Sequence, residues 1–160
     1  MTGDPKKRVL AIDAKAVPLR TRPSVYPEPF ASRMSKRQKR TLGDFFGLSN
    51  FGVNLTCLPP GAESALLHRH VAQDEFIYVL EGEPTLVTEE GEIALAPGMC
   101  AGFPAGGKAH QLVNRTTADV VYLEIGDRTA GDEAFYPVDD IKAALVERKW
   151  VFTHKDGRPY

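Results

Sequence analysis

The sequence has little cysteine: two residues in 160, Cys57 and Cys100, with no CxxC spacing. That excludes a disulfide framework and a thiolate metal ribbon, and it agrees with a reducing cytoplasm as the expected location. Both thiols are expected to behave as small buried hydrophobes. Long apolar runs are also missing. The stretch from Val9 to Ile12 is broken by Asp13 after four residues, whereas a secretory signal needs about 7–15 apolar residues and a membrane span about 20. Neither secretion nor membrane insertion is expected. Excess charge of one sign is absent as well, with 20 Lys+Arg against 21 Asp+Glu. No global field therefore draws the chain to nucleic acid or an anionic membrane. What remains is one domain's worth of chain with ordinary apolar (42%) and charged (26%) content. A chain of this length buries roughly 70% of its surface on folding, enough for a core without covalent staples.

Turn formers are plentiful, with 14 glycines and 12 prolines, and their positions divide the chain. Residues 18–30, PLRTRPSVYPEPF, carry four prolines that forbid helix and sheet ladders over most of the stretch, so an extended arm is expected. The following RMSKRQKR gathers Arg33, Lys36, Arg37, Lys39 and Arg40. This run reads either as an anion or phosphate site or as a solvated or dimer-contact segment; without interleaved aromatics it does not point to nucleic acid.

From Asn54 onward, short apolar runs such as NLTCL, EFIYVL, TLVT, EIALA, HQLVN and VVYLEI alternate with Gly- and Pro-bearing turns. Strands of this length at roughly ten-residue intervals are the signature of a sandwich or barrel, and no ten-residue helix fits in 54–126. The expected organisation is a single structural domain: an N-terminal arm over 1–50, a barrel core over 51–126 and a C-terminal extension over 127–160. In the extension, the helical spacing of Ile141, Ala144, Leu145 and Arg148 predicts a helix over Asp139–Lys149, capped by Asp139. Trp150–His154 reads as a strand ending in a Lys155-Asp156-Gly157 turn.

Three of the four histidines fall in the β-rich half. His68 and His70 stand two apart, and on a strand such positions share a face, about 6.6 Å apart along the chain. Glu75 heads the strand EFIYVL, and His110 opens the strand HQLVN after a glycine-rich loop. Three imidazoles and a carboxylate form a borderline-hard set suited to Fe(II), Mn(II), Ni(II), Zn(II) or Cu(II). Asp74 is a rival carboxylate, but pleat alternation lets only one of the two neighbours face inward, and Glu75 is preferred.

The segment G61AESALLHRHVAQDEFIYVLEG82 resembles the first cupin motif: a Gly, then HxH, then Glu, then Gly. The segment G98MCAGFPAGGKAHQLVN114 resembles the second, with Gly98, Pro104, Gly106, His110 and Asn114 in order. Each motif carries one extra loop residue, before His68 and before His110. The flanks SNFGVNL, YLEIGDR and FTHKDGRPY look like those of a group of uncharacterised bacterial single-domain cupins. The resemblance implies an all-β fold, a double-stranded β-helix (jelly-roll) barrel with an extended N-terminal arm and a short C-terminal extension. It implies one divalent transition metal per chain, held by His68, His70, Glu75 and His110, and a homodimer. Strand parity then lines the interior with Leu66, Ile77, Val79 and Leu112. Asn114 is expected to close a turn at a strand end, and His154 to lie outside the site.

Four protein ligands leave one or two positions open on a five- or six-coordinate metal, as Lewis-acid or oxygen chemistry requires. The expected function is therefore metal-dependent catalysis (oxygenation, isomerisation or lysis) on a small oxygen-rich metabolite, with no catalytic residue assigned beyond the metal. The competing expectation is a non-catalytic metal-supported module that binds or senses a sugar or carboxylate. A third is a scaffold with a vestigial site, against which the intact ligand set argues.

Overall fold

Alternation of inward apolar and outward polar residues, interrupted every few positions by turn formers, builds twelve strands in the computed structural model, which describes residues 9–160. In chain order they are β1 (Gln38–Thr41), β2 (Phe51–Leu58), β3 (Arg69–His70), β4 (Glu75–Glu81), β5 (Thr85–Thr88), β6 (Gly91–Ala94), β7 (Cys100–Phe103), β8 (His110–Val113), β9 (Val120–Asp127), β10 (Glu133–Phe135), β11 (Lys142–Val146) and β12 (Lys149–Thr153). Two short helices, α1 (Phe30–Arg33) and α2 (Leu42–Phe46), lie in the N-terminal part. No helix falls in 54–126, as the punctuation of that region requires.

All ladders are antiparallel and form three sheets: β1-β2-β9-β4-β7, β6-β5-β8 and β12-β11-β10-β3. The first two sheets enclose the barrel core of Leu58, Ile77, Val79, Leu86, Leu112, Val120 and Tyr122. Each such fully buried aliphatic side chain contributes about 1.5–3 kcal/mol. This is the all-β jelly roll implied by the two motifs. The glycine that closes the first motif is required by geometry, because Gly82 sits at φ 78° and a Cβ there would collide with the Asp119 carbonyl oxygen. The turn after β4 therefore tolerates no side chain against the start of β9.

A second apolar cluster joins the two ends of the chain. Phe30 and Met34 from the N-terminal part pack with Leu66, Ala134, Tyr136, Ile141 and Ala143, flanked by Tyr26, Trp150 and Phe152. Leu66 thus belongs to this cluster and not to the barrel core where strand parity placed it. The arm also touches the barrel directly, since the Arg20 amide donates to the Lys39 carbonyl at 2.8 Å and β1 pairs with β2.

Two further expectations are corrected. The Asp139–Lys149 helix is the hairpin β11–β12, with Val146 opposite Lys149 and positive φ at Glu147 (48°) and Arg148 (63°). The buried positions follow a period of two and not the 3.6-residue set: Ile141 and Ala143 alternate inward, Arg148 is exposed, and a two-residue left-handed turn joins the strands. Asp139 does not cap a helix; it accepts from Arg33. The expected Trp150–His154 strand and its following turn are present as β12 and residues 154–157. The cysteines are not buried: Cys57 is half-buried and Cys100 is exposed. In β7 the inward positions belong to Ala101 and Phe103, and alternation turns Cys100 outward.

Candidate metal centre

The antiparallel bridge between His68 and His110 brings the two motifs together, with backbone N–H···O contacts of 3.2 and 2.8 Å in the two directions. His70 lies two residues on, in β3, and Glu75 enters at the head of β4. Ligand atoms of His68, His70 and Glu75 lie within 4.8 Å of one another. His110 joins them through Glu75, with its Nε2 2.9 Å from Oε2. The Nε2 atoms of His68 and His70 each lie 3.6 Å from the same oxygen. Asp74 faces away and accepts from the Ala105 amide.

The orientation of the rings is enforced from behind. His68 Nδ1 donates to the Leu66 carbonyl at 2.8 Å, and His110 Nδ1 makes a longer contact to the Lys108 carbonyl at 3.5 Å. A carbonyl can only accept, so Leu66 places the His68 proton on Nδ1 and leaves its Nε2 lone pair facing Glu75, whereas His110 donates from Nε2 to Glu75. His70 Nδ1 is 2.5 Å from Asp132 Oδ2, and the other Asp132 oxygen accepts the amides of Val71 and Ala72. An aromatic ring also packs on each imidazole: Tyr136 on His68 and Trp150 on His70, with Phe103 stacked on His110 at 3.5 Å.

Burial, opposed by Glu75 and reinforced by the other two histidines, lowers the His68 pKa to about 4. Glu75 is pushed up by burial, but the hydrogen bond from His110 and the proximity of His68 and His70 outweigh this and hold it at about 2. At neutral pH a neutral His68 therefore presents a lone pair to an ionised carboxylate. Two electron-rich groups aimed at each other repel unless a cation lies between them. Three inward Nε2 atoms, each on a ring held by an outer contact, and the Glu75 carboxylate fit a divalent transition metal.

The site opens into a cavity of about 330 Å³. A second polar group in its lining, centred on Glu124 of β9 beside β4, has no counterpart among the sequence motifs. Glu124 Oε1 accepts from Lys39 Nζ at 2.5 Å and Asn54 Nδ2 at 3.2 Å, while Oε2 lies 3.3 Å from the Tyr122 hydroxyl. Burial pushes the Glu124 carboxyl up, but Lys39 prevails and holds it below its ordinary value. Arg20 and Arg37 line the same cavity. Lys39 and Arg37 belong to the basic run, but Glu124 and Asp132 have no motif to mark them.

Asn114, fully buried, donates through Nδ2 to the carbonyls of Leu58 and Ala118, both at 2.7 Å, which is the turn-closing role expected of it. His154 stacks on Tyr160 and pairs with Asp140, away from the cavity. Among the described residues, no helix is long and apolar enough to cross a membrane.

Comparison with known proteins agrees with this architecture. A family model described as the cupin domain matches residues 54–126. A crystal structure from Silicibacter pomeroyi, described as a sugar phosphate isomerase from a cupin superfamily, is 44% identical, with 94% of this chain and 96% of that one covered at a TM-score of 0.88. A protein from Acidithiobacillus ferrooxidans, presented as a candidate sugar phosphate isomerase, is 33% identical over 78% of this chain and 80% of that one, with a TM-score of 0.71. The polyketide cyclase RemF from Streptomyces resistomycificus, 20% identical over 74% of this chain and 79% of that one at a TM-score of 0.59, shares the fold. A search of curated proteins finds no match. Two motifs in order, a jelly-roll barrel with inward His and Glu side chains, and a 44% identical cupin covered nearly end to end place this chain in the cupin superfamily.

Proposed function

We propose that the chain is a metal-dependent enzyme that isomerises a small phosphorylated sugar. The observation that carries this reading is the convergence of three imidazole Nε2 atoms and Glu75 at one end of a cavity. The 44% identical protein described as a sugar phosphate isomerase supports the choice of reaction. His68, His70, Glu75 and His110 hold the ion. When bound, a divalent ion polarises the carbonyl and hydroxyl oxygens of a chelating sugar and makes the neighbouring C–H more acidic.

The remaining work falls to the protein's own groups. Isomerisation between an aldose and a ketose moves one hydrogen between adjacent carbons and one proton between their oxygens, with no net gain or loss of atoms or electrons. Glu124 is ionised at neutral pH, and its Oε2 carries only the long contact to Tyr122, so this oxygen is the cavity's proton acceptor. Lys39 and Asn54 hold the carboxylate in place through Oε1. Phe103, Tyr136 and Trp150 exclude water around the histidines.

The test is metal quantification and turnover on a panel of aldose and ketose phosphates, with wild type, His68→Ala, His110→Ala and Glu124→Gln. Wild type should bind one ion per chain and the two histidine variants should lose it. Glu124→Gln should keep the ion and lose turnover. Unchanged stoichiometry in both histidine variants would overturn the metal site. Tight binding of the panel with no turnover under any divalent metal would favour a sensing module.

The second partner proposed is another copy of this chain. β4 turns Phe76, Tyr78 and Leu80 outward at 39–40% exposure, and Phe76 and Tyr78 pair with Ile125 and Leu123 of β9, so the outer face of the five-stranded sheet is apolar. Light scattering should report a dimer; a monomer mass at micromolar concentration would remove this assignment.

A further inference from the structure

The cavity's cations are unevenly neutralised. Lys39 is matched by Glu124, and Arg128 by Asp44. Arg20 and Arg37 line the same cavity, and neither has a carboxylate partner among the described residues. We propose that Arg20 and Arg37 form the subsite for the substrate's phosphate group, in the cavity that the metal ligands also line. This rests on the cavity being the substrate site, as proposed above, and it assigns that substrate's anionic end to two named residues.

Both guanidinium groups are set in place by backbone contacts. Arg37 Nη1 donates to the Ser64 carbonyl, which leaves its other N–H groups without a protein partner among the described residues. Arg20 donates Nε to the Arg22 carbonyl at 3.2 Å and Nη2 to the Pro23 carbonyl at 3.1 Å, and its Nη1 has no protein partner among the described residues. The arm carrying Arg20 is tied to β1 by the Arg20 amide on the Lys39 carbonyl, two residues from Arg37. Two pre-set cations with spare donors match a phosphate, which offers several oxygens and needs charge-assisted bonds from more than one direction.

The cost of the arrangement points the same way. Burial lowers the Arg20 pKa, and repulsion from Arg37 and Arg22 lowers it further. Half-buried like charges placed together destabilise the free protein, and a dianion between them removes that penalty. The same reading absorbs the basic run at 33–40. Arg33 leaves it for Glu63 and Asp139, Lys39 supports Glu124, and Arg37 faces the cavity.

The experiment is calorimetric titration of the metal-free full-length protein with inorganic phosphate, comparing wild type with Arg20→Met, Arg37→Met and the distant Arg115→Met. Wild type should bind one phosphate, Arg20→Met and Arg37→Met should each weaken it by about tenfold to a hundredfold, and Arg115→Met should not change it. Arg37 also anchors Ser64, so Arg20→Met, whose bonds are to its own loop, carries the test where Arg37→Met fails to fold. Absence of phosphate binding in wild type, or equal affinity in wild type and Arg20→Met, overturns the subsite. Divalent-metal uptake by the same proteins on reconstitution separates the two readings. A wild type that binds phosphate through Arg20 but takes up no metal keeps the subsite and removes the metal centre, while the converse removes the subsite alone.

Discussion

The two walls of the cavity are built differently. The part around β3, β4 and β8 carries the proposed metal ligands on short strands whose spacing follows two sequence motifs. The rest of the lining draws Arg20 and Tyr26 from the arm, Lys39 from β1, Glu124 from β9 beside β4, and Tyr136 and Trp150 from the C-terminal extension. The first wall is local in sequence, with His68, His70 and Glu75 within eight residues of one another. The second is assembled only by tertiary packing, through the apolar cluster that joins both ends of the chain. Under the proposed function, the motif part of the lining holds the ion and the rest selects what reaches it.

The sharpest way to break this contrast is through Lys39. Replacing it by methionine leaves Glu124 largely buried and unpaired, which should cost about 3 kcal/mol of stability while leaving the metal ligands intact. Chemical denaturation measures the cost and metal content checks the other wall. A loss below about 1 kcal/mol would mean that the non-motif wall is a solvated surface after all.

The metal-facing wall has its own signature in acid. An unfolded His68 titrates near 6.5 and the folded one at about 4. Between these values the unfolded chain binds more protons, so the metal-free protein loses stability as pH falls from 6.5 towards 4, by about 3 kcal/mol. Glu75 extends the loss: its carboxyl moves from 4.5 to about 2 on folding, so the unfolded state is protonated first as pH falls through that lower range. Urea midpoints at pH 7, 5.5 and 4 test the first step, and a flat profile would show that His68 is not held neutral by its surroundings.

Asp132 is where the walls meet. It comes from the C-terminal side, is fully buried, and fixes His70 through its Nδ1. Asp132→Asn should weaken metal binding by about tenfold to a hundredfold with the four ligands unchanged. Competitive chelation gives the number, and wild-type affinity in the variant would show that the motif wall is self-sufficient.

The barrel and its four inward side chains are legible in the sequence because each depends on local pattern. HxH on a strand shares a face, parity chooses Glu75 over Asp74, and glycines and prolines mark the turns. Asp132, Glu124 and Arg20 are not legible, because nothing within a few residues of each says what it will meet. Arg20 stands in an arm whose prolines forecast extension but not its destination. The β11–β12 hairpin reads as a helix for a related reason: Ile141, Ala144 and Leu145 satisfy helical spacing, and only packing against Phe30, Met34 and Tyr136 makes the period-two pattern win.

Proximity to the motifs does not make every residue sensitive, and β7 shows the limit. Cys100 lies within the second motif's span, yet it points outward from an edge strand of the five-stranded sheet. Three residues later Phe103 points inward and stacks on His110. Cys100→Ser should therefore change the unfolding free energy by less than about 0.5 kcal/mol and leave metal content unaltered. Phe103→Ala removes the ring behind a ligand and should lower both. Equal effects at the two positions would contradict the alternation that places the whole metal-facing wall, since a one-residue slip in β7 exchanges the two faces of the strand.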